Sequence, residues 1–99
     1  MLTIEQIQST VADYFKDKPV KRVYLFGSYA KGQQKPESDI DILVDIDDSK
    51  KRLSYWDLAR FLVELEDLLH AKVDLVLEKT LYPRIKENVL KSRIKLFSK

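Results

Sequence analysis

With 99 residues, 44% of them hydrophobic and 34% charged, the chain has the size and composition of one compact domain and not of a disordered protein. The absence of cysteine excludes a disulfide framework and any thiolate metal centre, and no apolar run approaches the roughly 20 residues that a membrane-spanning helix needs. A net charge of +2, from 18 bases and 16 acids, is too small to mark a nucleic-acid binder, so direct nucleic-acid binding is not expected.

Thr3 and Gln6 have capping-box spacing, and Ile4, Ile7, Val11, Ala12 and Phe15 recur at helical intervals, which predicts a first helix over about residues 4–16. Lys18-Pro19 breaks it. Val20 to Phe26 is a near-continuous apolar run, the pattern of a strand covered on both faces, and it ends at Gly27. Residues 27–38 hold both glycines and Pro36 among polar side chains, so a turn, with room for one short helical turn, and then a ligand loop are expected. Ile40, Ile42, Leu43, Val44 and Ile46 mark a second strand in which Asp39, Asp41 and Asp45 fall at even spacing and point to one face. Asp45, ahead of Asp47 and Asp48, is read as a solvated loop acid.

Ser54 can cap a long helix ending near His70, in which Leu58, Phe61, Leu62, Leu65, Leu68 and Leu69 make an apolar stripe. Trp56, Phe61 and the leucines are assigned to the core, and His70 to a structural role at the helix end. Val73 to Leu77 is a third strand interrupted by one acid, Asp74. Pro83 then opens a final helix carrying Ile85, Val89 and Leu90. The bases Lys91, Arg93 and Lys95 are read as a solvated face, with contact to an acidic partner or RNA as the alternative. Together these elements predict an α+β fold, a small mixed sheet of three strands or slightly more packed with three to four helices, with one face or end left open for the carboxylates.

Asp39 and Asp41 stand two positions apart on a strand, so their Cα atoms are roughly 6.6 Å apart and their side chains project the same way. Mg2+ takes hard oxygen ligands and usually binds through one or two carboxylates plus phosphate and water, which this pair can supply. Asp74 is an odd residue for a core strand unless it shares the face of Asp39 and Asp41, and a third carboxylate allows two ions to bind a triphosphate. In the preceding loop Gly27 permits a close backbone approach to phosphate, and Ser28 adds a hydroxyl and an amide. Lys31 can neutralise a phosphate oxygen, and Gly32 can supply unusual backbone angles. Tyr29 either stacks near a nucleotide or buttresses the loop.

Gly27-Ser28, ten intervening residues, and then Asp39-Ile40-Asp41 resemble the signature of the DNA polymerase β-like nucleotidyltransferase superfamily. The fuller strings Gly27-Ser28-Tyr29-Ala30-Lys31-Gly32 and Ser38-Asp39-Ile40-Asp41-Ile42-Leu43-Val44 resemble the minimal nucleotidyltransferase antitoxins that pair with HEPN toxins. The likeness extends to Val73-Asp74-Leu75-Val76, similar to the family's third-carboxylate strand, and to the tail from Leu81 to Phe97, similar to its closing helix. Lys31 stands where the family often has arginine.

What this resemblance implies is a single minimal nucleotidyltransferase domain over residues 1–99, expected in the cytoplasm because no signal segment opens the chain. It implies an enzyme that transfers AMP from ATP to a tyrosine of a partner HEPN ribonuclease and so silences it. By the same likeness Asp39 and Asp41 ligate two Mg2+ ions, and Asp74 completes one metal site and helps activate the acceptor hydroxyl. Gly27 and Ser28 hold the triphosphate, with Lys31 and Ser38 as further nucleotide-binding residues. Two other readings stand beside it: a catalytically silent antitoxin that neutralises by binding, and a transferase for a small molecule or an RNA end.

Overall fold

The computed structural model describes residues 2–47, 49, 52–80 and 83–99, the last range without the side chains of 83–86. The expectations for Asp48, Leu81 and the Ile85 side chain lie outside the described residues. Helix α1 (Ile4–Phe15) starts at the expected capping box: the Gln6 amide donates to the Thr3 hydroxyl at 3.1 Å, and the Thr3 amide donates to the Gln6 side chain at 2.9 Å. Strand β1 (Val20–Phe26) leads straight into the five-residue helix α2 (Gly27–Lys31), and β2 (Ile40–Ile46) follows the loop. Helix α3 (Tyr55–Leu69) opens at a second capping box, formed by Ser54 and Asp57. Then come β3 (Val73–Leu77), a 3-10 turn over Glu78–Thr80, α4 (Pro83–Ser92) and β4 (Ile94–Ser98). None of the described helices is long and apolar enough to cross a membrane.

The sheet has the order β3-β2-β1-β4, with β1 antiparallel to both β2 and β4, and β3 parallel to β2. It is therefore mixed, as expected, with a fourth strand. Helices α1 and α3 cover one face, where Ile7, Val11, Phe15, Phe61 and Leu65 pack on Val23, Leu25, Ile40, Ile42 and Val44. Alternate residues of the same strands face the other way, and there Tyr24 and Leu43 meet Val89 of α4 in a second cluster, smaller than the first among the described residues. Three aromatic rings, Tyr14, Phe15 and Phe61, meet edge to face at 5.0 to 6.0 Å and lock α1 to α3.

Four expectations are corrected at the level of the fold. The tail beyond α4 is not helical: β4 pairs with β1, because Ile94 and Leu96 alternate with Lys95 at period two, and the edge of β1 supplies hydrogen-bond partners that nothing local announces. Trp56 is not core but 76% exposed, beside Tyr55 at 77%, since the first turn of α3 presents them outward. Leu68 is likewise half exposed, while Phe61, Leu65 and Leu69 are buried. Arg93 is not a solvated base but three-quarters shielded and ion-paired.

His70 ends α3 in the left-handed conformation, with φ 52° and ψ 41°. A β-carbon is unfavourable there, so His70→Gly is expected to stabilise the protein by about 0.5–1 kcal/mol, read as a raised urea midpoint with unchanged slope.

Candidate active site

The register of the parallel pair β2–β3 sets Asp41 directly beside Asp74. Neighbouring strands lie about 4.8 Å apart, and side chains at matched positions share a face. That face is the one carrying α4: Leu43 and Val76, each two residues further along its strand, both belong to the cluster closed by Val89. Asp39 precedes β2 by one residue and is exposed, Asp74 is exposed at the start of β3, and Asp41 between them is half-buried. Their proximity is visible in the Asp41 carboxyl, which is pushed up from 3.8 to about 6, first by burial, then by the charge of Asp74, then by that of Asp39. Asp45, the third evenly spaced acid, lies inside β2 rather than in a loop and is paired with Arg22 at 3.1 Å across the β1–β2 ladder.

The turn from β1 into α2 is built around Asp41. Phe26 is extended and is the cross-strand partner of Asp41, and Gly27 then turns the chain at φ 71°. A β-carbon at Gly27 would overlap Oδ2 of Asp41 and stand 2.9 Å from its Cγ. Glycine is thus required twice over, for its backbone angle and for the space that the carboxylate occupies. Ser28, half-buried, lies in the first turn of α2. The helix ends in a Schellman arrangement: Gly32, at φ 71°, donates to the Tyr29 carbonyl at 3.3 Å and Gln33 donates to the Ser28 carbonyl at 2.9 Å. Tyr29 is buried in the main core, so it buttresses the loop from behind.

Lys31 projects from the last turn of α2 and is exposed. Ser38 is engaged within its own loop, where its hydroxyl accepts from the Lys35 amide at 2.8 Å and its own amide donates to the Lys35 carbonyl at 2.9 Å. It closes the turn that delivers Asp39 to the head of β2. The structure therefore brings Gly27, Ser28, Asp39, Asp41 and Asp74 to one end of the sheet and sets Lys31 and Ser38 at its margins.

Among the described residues no three His, Cys, Asp or Glu side chains have the arrangement of a formed metal site. The donor chemistry nevertheless fits a hard divalent cation, because these are carboxylate oxygens whose mutual repulsion and partial burial a cation would relieve. Two residues without a signal in the sequence also bear on this face. Phe26 and Arg93 are ordinary strand and surface residue types, and only their neighbours in space give them a place at the site.

Comparison with known proteins agrees with this fold. The family described as nucleotidyltransferase domain matches residues 4–96. Protein adenylyltransferase MntA of Thermococcus cleftensis is 37% identical over 95 residues, spanning 92% of this chain and 93% of that protein. A solved structure of a minimal nucleotidyltransferase superposes with a TM-score of 0.74 at 33% identity, over 91% of this chain and 88% of that one. A toxin–antitoxin crystal structure with AMP-PNP gives a TM-score of 0.77 at 26% identity, over 93% of this chain and 73% of that one. With agreement in sequence and fold running nearly from end to end, the chain belongs to the nucleotidyltransferase domain family and is an enzyme of its minimal kind.

Proposed function

We propose that the chain is a cytoplasmic, Mg2+-dependent protein adenylyltransferase that moves AMP from ATP to a tyrosine hydroxyl of a cognate HEPN-family ribonuclease toxin and thereby neutralises it. The observation that carries this reading is the register of Asp41 with Asp74, on one face and beside Gly27. Its support from relatives is that T. cleftensis MntA is named a protein adenylyltransferase and that a toxin–antitoxin complex of the same fold was solved with AMP-PNP.

In this reading Asp39 and Asp41 hold two Mg2+ ions and Asp74 shares one of them. When bound, the ions neutralise the triphosphate and draw the acceptor hydroxyl towards ionisation. The chain's own residues do the rest. Gly27 and Ser28 would hold the triphosphate, and Lys31 at the end of α2 would add a positive charge on a flexible stem. Ser38 holds the turn that presents Asp39. Asp74, exposed at the mouth, takes the proton as the tyrosine oxygen bonds to the α-phosphorus and the bond to pyrophosphate breaks.

The test is to mix the chain with ATP, Mg2+ and the toxin and to weigh the toxin. A mass gain in multiples of one AMP unit is expected, and Asp74→Asn should slow it on the order of 100-fold or more, as removal of a general base and metal ligand does. No gain with any nucleotide or divalent metal would refute the reading. An Asp39→Ala/Asp41→Ala chain that still protects cells would assign the neutralisation to binding alone.

A further inference from the structure

Among the described residues the second face of the sheet carries fewer buried side chains than the first, and these stand directly behind the acidic pair. Leu43 follows Asp41 by two residues and Val76 follows Asp74 by two, so each is the next side chain inward on the same face. Both join Tyr24 and Phe26 of β1 in the cluster closed by Val89. Phe26 is in turn the cross-strand partner of Asp41 and the residue before Gly27. This small cluster is therefore the bed on which both carboxylates and the turn into α2 rest.

One polar group seals the bed. Arg93, between α4 and β4, lays its guanidinium over the Tyr24 ring at 3.8 Å from the centroid and pairs with Glu78 at 3.1 Å, one residue past the end of β3. Arg93 and Glu78 are only 25% and 22% exposed, whereas the Lys16–Asp13 and Lys91–Glu87 pairs lie open to solvent. Shielding of that degree, with a stacked ring beneath the cation, makes the contact stronger than an ordinary surface ion pair. Its reach matters more than its strength. Strands β1 and β3 do not touch each other in the sheet, since β2 lies between them, yet β1 leads into Gly27 and β3 carries Asp74. Arg93 bridges the two from above, while α4, from whose end it projects, also touches α2.

We propose that Arg93 is a positioning residue of the active site: by strapping the α4–β4 junction to Tyr24 and Glu78, it sets the spacing between the Gly27–Ser28 loop and the Asp74 strand. The inference rests on the nucleotide site described under Proposed function. Displacements of about 1 Å at a site that must align a triphosphate with carboxylates cost on the order of 100-fold. The strap needs a planar, always charged group that both stacks and pairs, which lysine satisfies only in part.

The test is calorimetric titration of the full chain with Mg2+ and AMP-PNP, well below the unfolding temperature, for wild type, Arg93→Met, Arg93→Lys and Glu78→Gln. Arg93→Met keeps apolar cover over the cluster but loses the strap, and its Kd is expected to rise about tenfold or more with the binding stoichiometry unchanged. Arg93→Lys should fall between it and wild type, and Glu78→Gln should weaken binding several-fold. A merely structural role would lower the stoichiometry or the melting temperature and leave Kd alone, and that outcome overturns the inference. If Arg93→Met fails to fold, the Kd values of Arg93→Lys and Glu78→Gln decide in the same way. A wild-type chain that does not bind Mg2+ with AMP-PNP at all overturns the nucleotide reading and this inference with it, whereas unchanged variants beside a binding wild type overturn this inference alone.

Discussion

Gly27→Ala is expected to abolish nucleotidyl transfer and to cost about 2–4 kcal/mol of stability. Two penalties add. The backbone at Gly27 has φ 71°, where a β-carbon is strained, and the added methyl falls on the Asp41 carboxylate, overlapping Oδ2 and reaching 2.9 Å from Cγ. The half-exposed carboxylate can swing aside, but it stands between Phe26 across the ladder and Asp74 on the neighbouring strand, so any such movement changes its place among the acids. Either Asp41 rotates away from its partners or the turn into α2 shifts, and both outcomes change the spacing between the Gly27–Ser28 turn and the acids. Chemical denaturation and the toxin mass assay check the two halves of the expectation. Gly32→Ala serves as the control: it shares the same φ, but nothing lies within 4 Å of the added methyl, so it should lose about 1 kcal/mol and keep most of the activity.

Asp41→Asn is expected to act in opposite directions on function and stability. Transfer should fall by at least roughly 1,000-fold, because a neutral amide is a poor ligand for Mg2+ and the pair with Asp74 loses its shared charge. The metal-free fold, by contrast, should become more stable near neutral pH. Burial and the charges of Asp74 and Asp39 raise the folded-state pKa of Asp41 to about 6, so its ionised form opposes folding. The favourable contribution of the protonated form is complete below the unfolded value of 3.8 and is lost as pH rises through about 6. With allowance for solvent screening at a half-exposed group, the stabilisation by Asp41→Asn at pH 7 is about 1 kcal/mol. Urea midpoints measured between pH 4 and 8 should show the wild type losing stability relative to Asp41→Asn across that window. Mg2+ should raise the wild-type midpoint at pH 7.5, less so below about pH 6, and leave the variant unmoved. A variant that is no more stable than wild type at neutral pH would mean that the acids do not repel one another in the fold. Such a trade of stability for function is what a site built of like charges entails.

These two residues also show how far a sequence can be read. Asp41 and Gly27 are conspicuous in the chain itself, since an acid in the middle of a β-branched run and a glycine closing an apolar strand both break the local pattern. The bounds of β1, β2 and β3 follow from the same periodicities, and the Thr3–Gln6 capping box and the Ser54 cap are legible because each depends on contacts within a few residues, whereas the box that Asp57 completes at Ser54 is seen only in the structure. Trp56 misleads, since an aromatic at the start of an apolar stripe looks like core, and only the placement of α3 against the sheet leaves it outside. Ser38 stands next to the acids in the motif, yet its hydroxyl is engaged in the turn before them.

By itself the sequence determined the chemistry: which residues carry charge at the site, the spacing that puts Asp39 and Asp41 on one side of a strand, and the glycine that lets the chain turn beside them. Tertiary structure alone decided that Asp74 pairs with Asp41 in register, that the Asp41 carboxylate fills the space a β-carbon at Gly27 would need, that residues 94–98 form an edge strand, and that Arg93 spans from Tyr24 to Glu78. The division has a physical cause. Periodicity and capping arise from interactions between near neighbours along the chain, whereas the β2–β3 register, the coupling of Asp41 to Asp74 and the Arg93 strap join residues 15 or more positions apart, whose meeting depends on how the whole core packs.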